Sequence, residues 1–365
     1  MTLLFVGGGT LGPVTPLLAT AKCLARIQPG ATFVWIGTER GPERELVTSA
    51  GMQFHALPDV KFPRYASLDW FRLPFAWMRV RRMADTLLKQ IKPSAVITMG
   101  GYTAVPVVFS AAKMHIPCFA HQLDLVPGLT NKLIAKKCAS VTTSFEYEQP
   151  PFGSAVSDEP LVTPTRFSFE GALQKDVATK AFALDTEKPI VLIFGGGTGS
   201  LALNAMVEHT RKAWLEFAQV IHVTGLGKEG ATAKRRALKG YAVRSLLNEE
   251  EMLQAYSAAD IVVSRAGVGT LSEIAALKKA SILIPLPDSP QNANAKAFEE
   301  QGSALVMDQE EPAFEENLLA SARLLLKDTE ERQRMGERAH DFFPTDDGKA
   351  FAEKILAVLE KPTAE

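Results

Sequence analysis

The chain has little of what would mark a metalloprotein, a disulfide scaffold or a membrane span. Its 365 residues hold three cysteines, Cys23, Cys118 and Cys138, widely spaced and in apolar or helical surroundings. They read as buried reduced thiols, not as a disulfide framework or a thiolate metal site. The six histidines show no HExxH and no paired-ligand spacing, so no structural metal is expected. No run approaches the roughly 18 apolar residues of a spanning helix, and Met1 leads into the strand-like TLLFVG without a basic n-region or cleavage site. The expectation is a protein neither exported by a signal peptide nor membrane-spanning. The basic excess of a nucleic-acid binder is missing too, since 40 Lys and Arg face 41 Asp and Glu. A GxxxxGK[ST] loop for ATP or GTP is absent. NAD is disfavoured, because no GxGxxG is followed by an acid at the end of the next strand. ATFVWIG runs into TER, where Glu39 is the sole candidate.

What is present is an ordinary folded composition, 46% hydrophobic and 22% charged, in a chain long enough for two α/β domains. The near-zero net charge hides an asymmetry. Residues 1–165 carry 16 basic against 11 acidic side chains, and the remainder 24 against 30, which suits a first domain facing an anionic surface. Strand-like runs at 2–7, 31–37, 52–58, 95–100, 117–121 and 140–145 alternate with helical stretches, the signature of a parallel sheet. The alternation pauses over the proline-rich 149–170 and restarts after KPIVLIFGGG, with strands near 189–195, 218–224, 241–246, 261–264, 281–285 and 304–307. Two Rossmann-like, doubly wound domains follow: 1–160, a linking region 161–188, and 189–345. The segment 313–361 is helical by pattern, broken at FFPTDDG, and 346–365 is its terminal helix.

In both halves a glycine run follows the first strand, GGGTLG at 7–12 and GGGTGS at 195–200. Missing Cβ atoms let a backbone turn sharply and approach a phosphate. In the second half SRAGVGTLSEIAAL at 264–277 precedes PLPDSPQNANA at 285–295. It reads as strand, glycine-punctuated turn, helix carrying Glu273, second strand, and polar loop with Gln291 and Asn294. A carboxylate beside a helix N-terminus can accept from vicinal ribose hydroxyls while backbone N–H groups take phosphates. This is the outline of a nucleotide-sugar pocket; an acid favourable to the helix dipole is the plainer reading of Glu273 alone.

That segment resembles the donor-binding region of the MurG-type glycosyltransferases. MGGYTAVP at 99–106, HQLDLVPGLTNK at 121–132, TPTR at 163–166 and the two glycine runs match the same family in the same order. The resemblance implies the GT-B architecture, two Rossmann-like domains facing a cleft, whose terminal helix often crosses back to the first domain. It implies inverting transfer of GlcNAc from UDP-GlcNAc to a polyprenyl-diphosphate-linked muramoyl peptide in peptidoglycan synthesis, without a cofactor and, lacking a convincing DxD, without a metal. By residue it implies that Glu273 holds ribose, that Gln291 and Asn294 lie near the donor sugar, and that Gly267 to Thr270 lie by the diphosphate. Arg265 belongs to the same pocket, Arg166 contacts the nucleotide, and Leu247 walls the uracil. The glycine runs contribute Thr10, Gly12, Gly197 and Thr198.

The departures bear on the acceptor side. GGTLGP puts Pro13 where the family has a His near the reacting centre, and proline moves no proton. HQLD replaces HEQN, so Asp124 stands at the Asn position, and Gly197 replaces a serine. Inverting transfer needs a base for the attacking hydroxyl; Asp124 is the first candidate and His121 the second. A related transferase with another acceptor, or a UDP-GlcNAc-binding or epimerase-type protein, stays open as an alternative. In LDWFRLPFAWMRVRRM at 68–83, Trp70 and Trp77 follow helical spacing while Arg79, Arg81 and Arg82 cluster beside them. Tryptophans with clustered arginines fit an interfacial surface on anionic lipid; with the family resemblance this implies peripheral attachment to the cytoplasmic face of a bacterial inner membrane. A core-facing helix with a solvated basic face is the competing reading.

Overall fold

A computed structural model describes residues 1–58, 69–154, 156, 158–229 and 238–360, with the backbone alone for 69–74. The chain forms two units, Met1–Arg166 with Asp346–Glu365, and Phe167–Thr345.

The first unit is built on a parallel sheet of β1 (Thr2–Val6), β2 (Thr32–Thr38), β3 (Gln53–Leu57), β4 (Ala95–Thr98), β5 (Cys118–Gln122), β6 (Ser140–Thr143) and the short β7 (Asp158–Pro160). Its strand order is β3-β2-β1-β4-β5-β6-β7. Strands such as TLLFV and AVIT are apolar on both faces because helices cover both sides of the sheet. The crossovers are α1 (Val14–Ile27), α2 (Glu43–Ser49), α3 (Asp69–Ile91), α4 (Ala104–Lys113) and α5 (Leu129–Ile134). Leu4, Val6, Val34, Ile36 and Val96 meet Val80, Leu88, Val105 and Val108 of α3 and α4 in one buried cluster. A further short strand, β8 (Thr163–Pro164), precedes the exit at Arg166.

The second unit opens with α6 (Lys175–Ala181), a helix inside the stretch read as linking region, where Lys175 pairs with Asp260 at 2.7 Å. Its sheet comprises β9 (Ile190–Phe194), β10 (Gln219–Val223), β11 (Tyr241–Arg244), β12 (Ile261–Ser264), β13 (Ala280–Leu283) and β14 (Leu305–Val306), all parallel, in the order β11-β10-β9-β12-β13-β14. Around it lie α7 (Leu201–Leu215), α8 (Glu249–Ala258), α9 (Val268–Ala276), α10 (Gln291–Glu300), α11 (Phe314–Lys327) and α12 (Thr329–Phe342). A cluster including Val191, Ile193, Trp214, Val263, Ile282 and Leu325 fills one side of this sheet.

After β15 (Thr345–Asp346) the chain ends in α13 (Lys349–Leu359), whose Phe351, Ala352 and Ile355 are buried. Gly348 enters this helix at φ +91°, and a Cβ there would lie 2.5 Å from Thr20 Cα of α1. Only glycine permits that approach.

The first six strands of unit one and the six of unit two share one order, so each sheet reverses direction between its first and fourth strands. Ligands of such sheets bind at the carboxyl ends beside that switch point. Both glycine runs lie there, after β1 and after β9.

Candidate active site

In the second unit the loops after β9 and β12 form the switch point. Gly199 sits at φ +71°, and a Cβ there would fall 2.1 Å from Thr224 O, so the turn demands glycine. Gly197 and Thr198 beside it are exposed. Ser200 caps α7, its Oγ accepting from Leu203 N–H at 3.4 Å, while Lys228 Nζ donates to Gly199 O at 3.0 Å. Asn204 Nδ2 donates to Thr224 O and Lys228 O at 2.9 and 3.0 Å, tying the next loop to α7. Its Oδ1 lies 3.0 Å from His222 Nε2, and His222 Nδ1 lies 2.8 Å from Tyr241 Oη. Since an amide oxygen only accepts, Nε2 carries the proton and Tyr241 donates to Nδ1. Burial keeps this imidazole neutral and pushes its pKa down to about 4.

After β12, Gly267 precedes α9 with extended backbone at ψ 141°, and Thr270 lies in the helix's first turn. Glu273, one turn further on, is 4% exposed, and its Oε2 accepts from Tyr256 O–H at 2.9 Å. It lies beyond the first turn, which has no acidic residue, so the plainer dipole reading falls away. Gln291 is half-buried; its Oε1 accepts from Leu286 N–H at 3.0 Å, and a Cβ on Gly267 would lie 3.8 Å from its Nε2. The α9 entrance and the polar loop are therefore neighbours. Leu247 is buried immediately before α8, whose start is fixed by a reciprocal cap between Asn248 and Glu251.

Two residues expected to meet substrate are turned inward. Arg265 is 5% exposed, and its Nη1 donates to Ile284 O and Pro285 O at 3.0 and 2.9 Å. Its Nη2 donates to Ser200 Oγ and Gln309 Oε1 at 3.1 and 2.7 Å. The guanidinium braces the loops after β9, β13 and β14 instead of offering its fork to a phosphate. Asn294 is fully buried and donates to Ala266 O at 3.2 Å, holding the backbone just before Gly267. Both side chains brace loop backbone.

In the first unit the glycine run after β1 is held from three sides. Trp35 Nε1 donates to Gly7 O at 2.8 Å, and a Cβ on Gly101 would lie 3.1 Å from Gly8 O. Below the loop lies Glu43, a fully buried carboxylate that the sequence did not single out. Its Oε1 accepts from Thr38 N–H and Oγ1, both at 2.6 Å, and its Oε2 from Gly9 N–H at 3.2 Å. An internal side chain thus takes the amide that such a loop commonly turns to a phosphate. Thr10 and Gly12 are exposed, and Pro13 precedes α1 at φ −79°.

Asp124 is half-buried in the loop after β5. Its carbonyl accepts from Gln122 Nε2 at 2.6 Å and Tyr147 O–H at 3.2 Å, while Asn131 Nδ2 donates to Gln122 Oε1 at 2.6 Å. A Cβ on Gly100 would touch Asn131 Oδ1 at 3.1 Å, which ties this loop to the one after β4. His121 is corrected as a base candidate. It is fully buried in β5, with Nδ1 2.8 Å from Thr142 Oγ1, Nε2 2.9 Å from Ser144 Oγ, and its ring 5.3 Å from that of Phe351. Burial pushes its pKa down to about 3, so it neither reaches solvent nor takes up a second proton near neutrality. Arg166 is half-buried at the end of the first unit.

Among the described side chains of α3 the exposed large apolar ones are Phe75, 75% exposed, and Met78. Trp77 packs against the core, edge-on to Phe109 at 6.3 Å, and the side chain of Trp70 lies outside the described residues. Phe75, Met78, Arg79, Arg82 and Met83 recur at helical spacing along a groove of about 500 Å³; Arg81 is half-buried. On the same unit Val126, Leu129 and Leu133 are exposed near Lys132. Among the described residues no helix is long and apolar enough to cross a membrane.

Comparison with known proteins places these two units in company. Residues 3–143 match the glycosyltransferase family 28 N-terminal domain and residues 190–351 its C-terminal domain. The chain is 33% identical over 369 residues to the UDP-N-acetylglucosamine–N-acetylmuramyl-(pentapeptide) pyrophosphoryl-undecaprenol N-acetylglucosamine transferase of Listeria monocytogenes serotype 4a, covering 99% of this chain and 100% of that one. It is 35% identical over 316 residues to the Lachnoclostridium phytofermentans protein of the same name, covering 84% and 86%. The crystal structure of Acinetobacter baumannii MurG superposes with a TM-score of 0.70 at 26% identity over 98% of this chain and 99% of that one.

Proposed function

The chain belongs to glycosyltransferase family 28, among the UDP-N-acetylglucosamine–N-acetylmuramyl-(pentapeptide) pyrophosphoryl-undecaprenol N-acetylglucosamine transferases, and on that premise we propose how its residues divide the work. The enzyme transfers GlcNAc from UDP-GlcNAc to a polyprenyl-diphosphate-linked muramoyl peptide, a step of peptidoglycan synthesis. The observation that carries the reading is relatedness over nearly the whole chain to transferases of this name.

The second unit takes the donor. Leu247 walls the uracil, the Glu273 carboxylate accepts from the ribose hydroxyls, and the exposed Gly197–Thr198 turn and the Gly267–Thr270 segment face the diphosphate. Gln291 lies by the sugar. Donors aimed at the departing diphosphate stabilise the charge that grows as the C1–oxygen bond breaks, and Arg166 adds a planar pair of N–H groups. Arg265 and Asn294 hold these loops in place.

The first unit takes the acceptor. Asp124 removes the proton from the attacking sugar hydroxyl, and the loop of Thr10 and Gly12 orients the acceptor head. Attack on the face opposite UDP inverts C1. The Phe75–Met78–Arg79–Arg82 face of α3 attaches the protein peripherally to the anionic cytoplasmic face of the membrane.

The test is turnover of labelled UDP-GlcNAc with and without the lipid-linked muramoyl peptide, with the product anomer read by NMR. The proposal expects acceptor-dependent UDP release and a β-linked product. Donor turnover without acceptor, or formation of the 2-epimer, would point to epimerase-type chemistry instead.

A further inference from the structure

Tyr256 lies on α8, two turns after the capped start that follows Leu247. It is fully buried, and its ring is gripped edge-on by Phe167 and Phe194, each at 6.0 Å, with interplanar angles of 70° and 89°. With the ring held there, the phenol donates to Glu273 Oε2 at 2.9 Å. A glutamate carries three rotatable bonds, and their freedom must be lost before its carboxylate can accept from two hydroxyls at once. A carboxylate has about four lone-pair positions, so a hydrogen bond to Oε2 orients the group without exhausting it.

We propose that Tyr256 is a positioning residue for nucleotide recognition: its hydroxyl fixes the Glu273 carboxylate in the rotamer that receives the ribose hydroxyls of a uridine diphosphate. The proposal rests on the reading of Glu273 as the ribose acceptor. It adds a reason for α8 to serve base and sugar together, since the helix that begins beside Leu247 carries, at Tyr256, the group that aims Glu273. Preorganisation of this kind acts on affinity by removing the ordering cost at binding.

The test compares UDP with 2′-deoxy-UDP by titration calorimetry on wild type, Tyr256→Phe, Glu273→Gln and the double variant. Tyr256→Phe keeps the ring between Phe167 and Phe194 and removes only the hydroxyl; thermal unfolding verifies the fold. Wild type is expected to prefer UDP by about tenfold or more, the scale of a hydrogen bond to a charged group. Tyr256→Phe is expected to weaken UDP by roughly three- to tenfold and 2′-deoxy-UDP by less, shrinking the preference. In the Glu273→Gln background the same change is expected to add less than about twofold, because the two residues act as one unit. Equal weakening of both nucleotides, with the preference intact, would reduce Tyr256 to packing and overturn the proposal. If wild type shows no preference and Glu273→Gln changes nothing, the ribose reading of Glu273 fails, and the proposal with it, by a different signature.

Discussion

Asp124 is the residue on which the proposed chemistry turns. Its loop is pinned through its own carbonyl by Gln122 and Tyr147, so the backbone that carries the carboxylate is preset, as a general base requires. Pro13 offers no side-chain group that could accept a proton, and His121 is sealed in β5. Asp124→Asn preserves shape and acceptor capacity while removing basicity. The expected outcome is a fall in transfer rate of about 100- to 10,000-fold at unchanged donor affinity, measured in single turnover. An undiminished rate would make Asp124 a sugar-orienting residue. Adding Pro13→His sharpens the result, since a recovered rate would show that both loops reach one hydroxyl.

Among elements, α3 carries the proposed contact with a lipid surface. Its phase puts Trp77 inward and Phe75, Met78, Arg79 and Arg82 on the groove. Phe75→Ser with Arg79→Glu and Arg82→Glu is expected to release the protein from anionic vesicles in sedimentation while UDP-GlcNAc affinity stays intact, with each lost basic contact worth about 1 kcal/mol. Loss of cooperative unfolding in that variant would mean that the segment is core. The same helix shows where sequence reading stops. Alternating apolar runs and glycine turns announce every main strand of both sheets, because parallel strands buried on both faces have little compositional freedom. The direction of a polar side chain is not announced. Arg265 and Asn294 look like ligand contacts by motif, but their partners, Gln309 and Ala266 O, lie 44 and 28 residues away. Glu43 went unnoticed because nothing local tells a solvated helix-start acid from one that serves Gly9 and Thr38.

At the scale of the whole molecule each unit carries one buried neutral imidazole, His121 in the first and His222 in the second, with pKa values pushed down by burial to about 3 and about 4. In the unfolded chain both take protons near pH 6.5. The unfolded state therefore binds more protons below about pH 6.5, and stability present above that value is lost as pH falls toward the folded pKa values. At about pH 5 the cost is on the order of 2 kcal/mol for each histidine relative to neutrality. Chemical denaturation at neutral pH and near pH 5 checks this; His222→Gln is expected to reduce the pH dependence, and an unchanged profile would contradict it.

The donor residues proposed in the second unit follow the strand ends at the switch point of its sheet, where Arg265, Ser200 and Asn294 hold the loops. The direct measurement is titration calorimetry of UDP-GlcNAc against wild type and Glu273→Ala, with thermal unfolding recorded for both. Loss of a charged acceptor for the ribose hydroxyls is expected to cost about 1.5–3 kcal/mol, a weakening of roughly tenfold to more than a hundredfold. A folded Glu273→Ala variant that binds UDP-GlcNAc as tightly as wild type would contradict the assignment of this pocket.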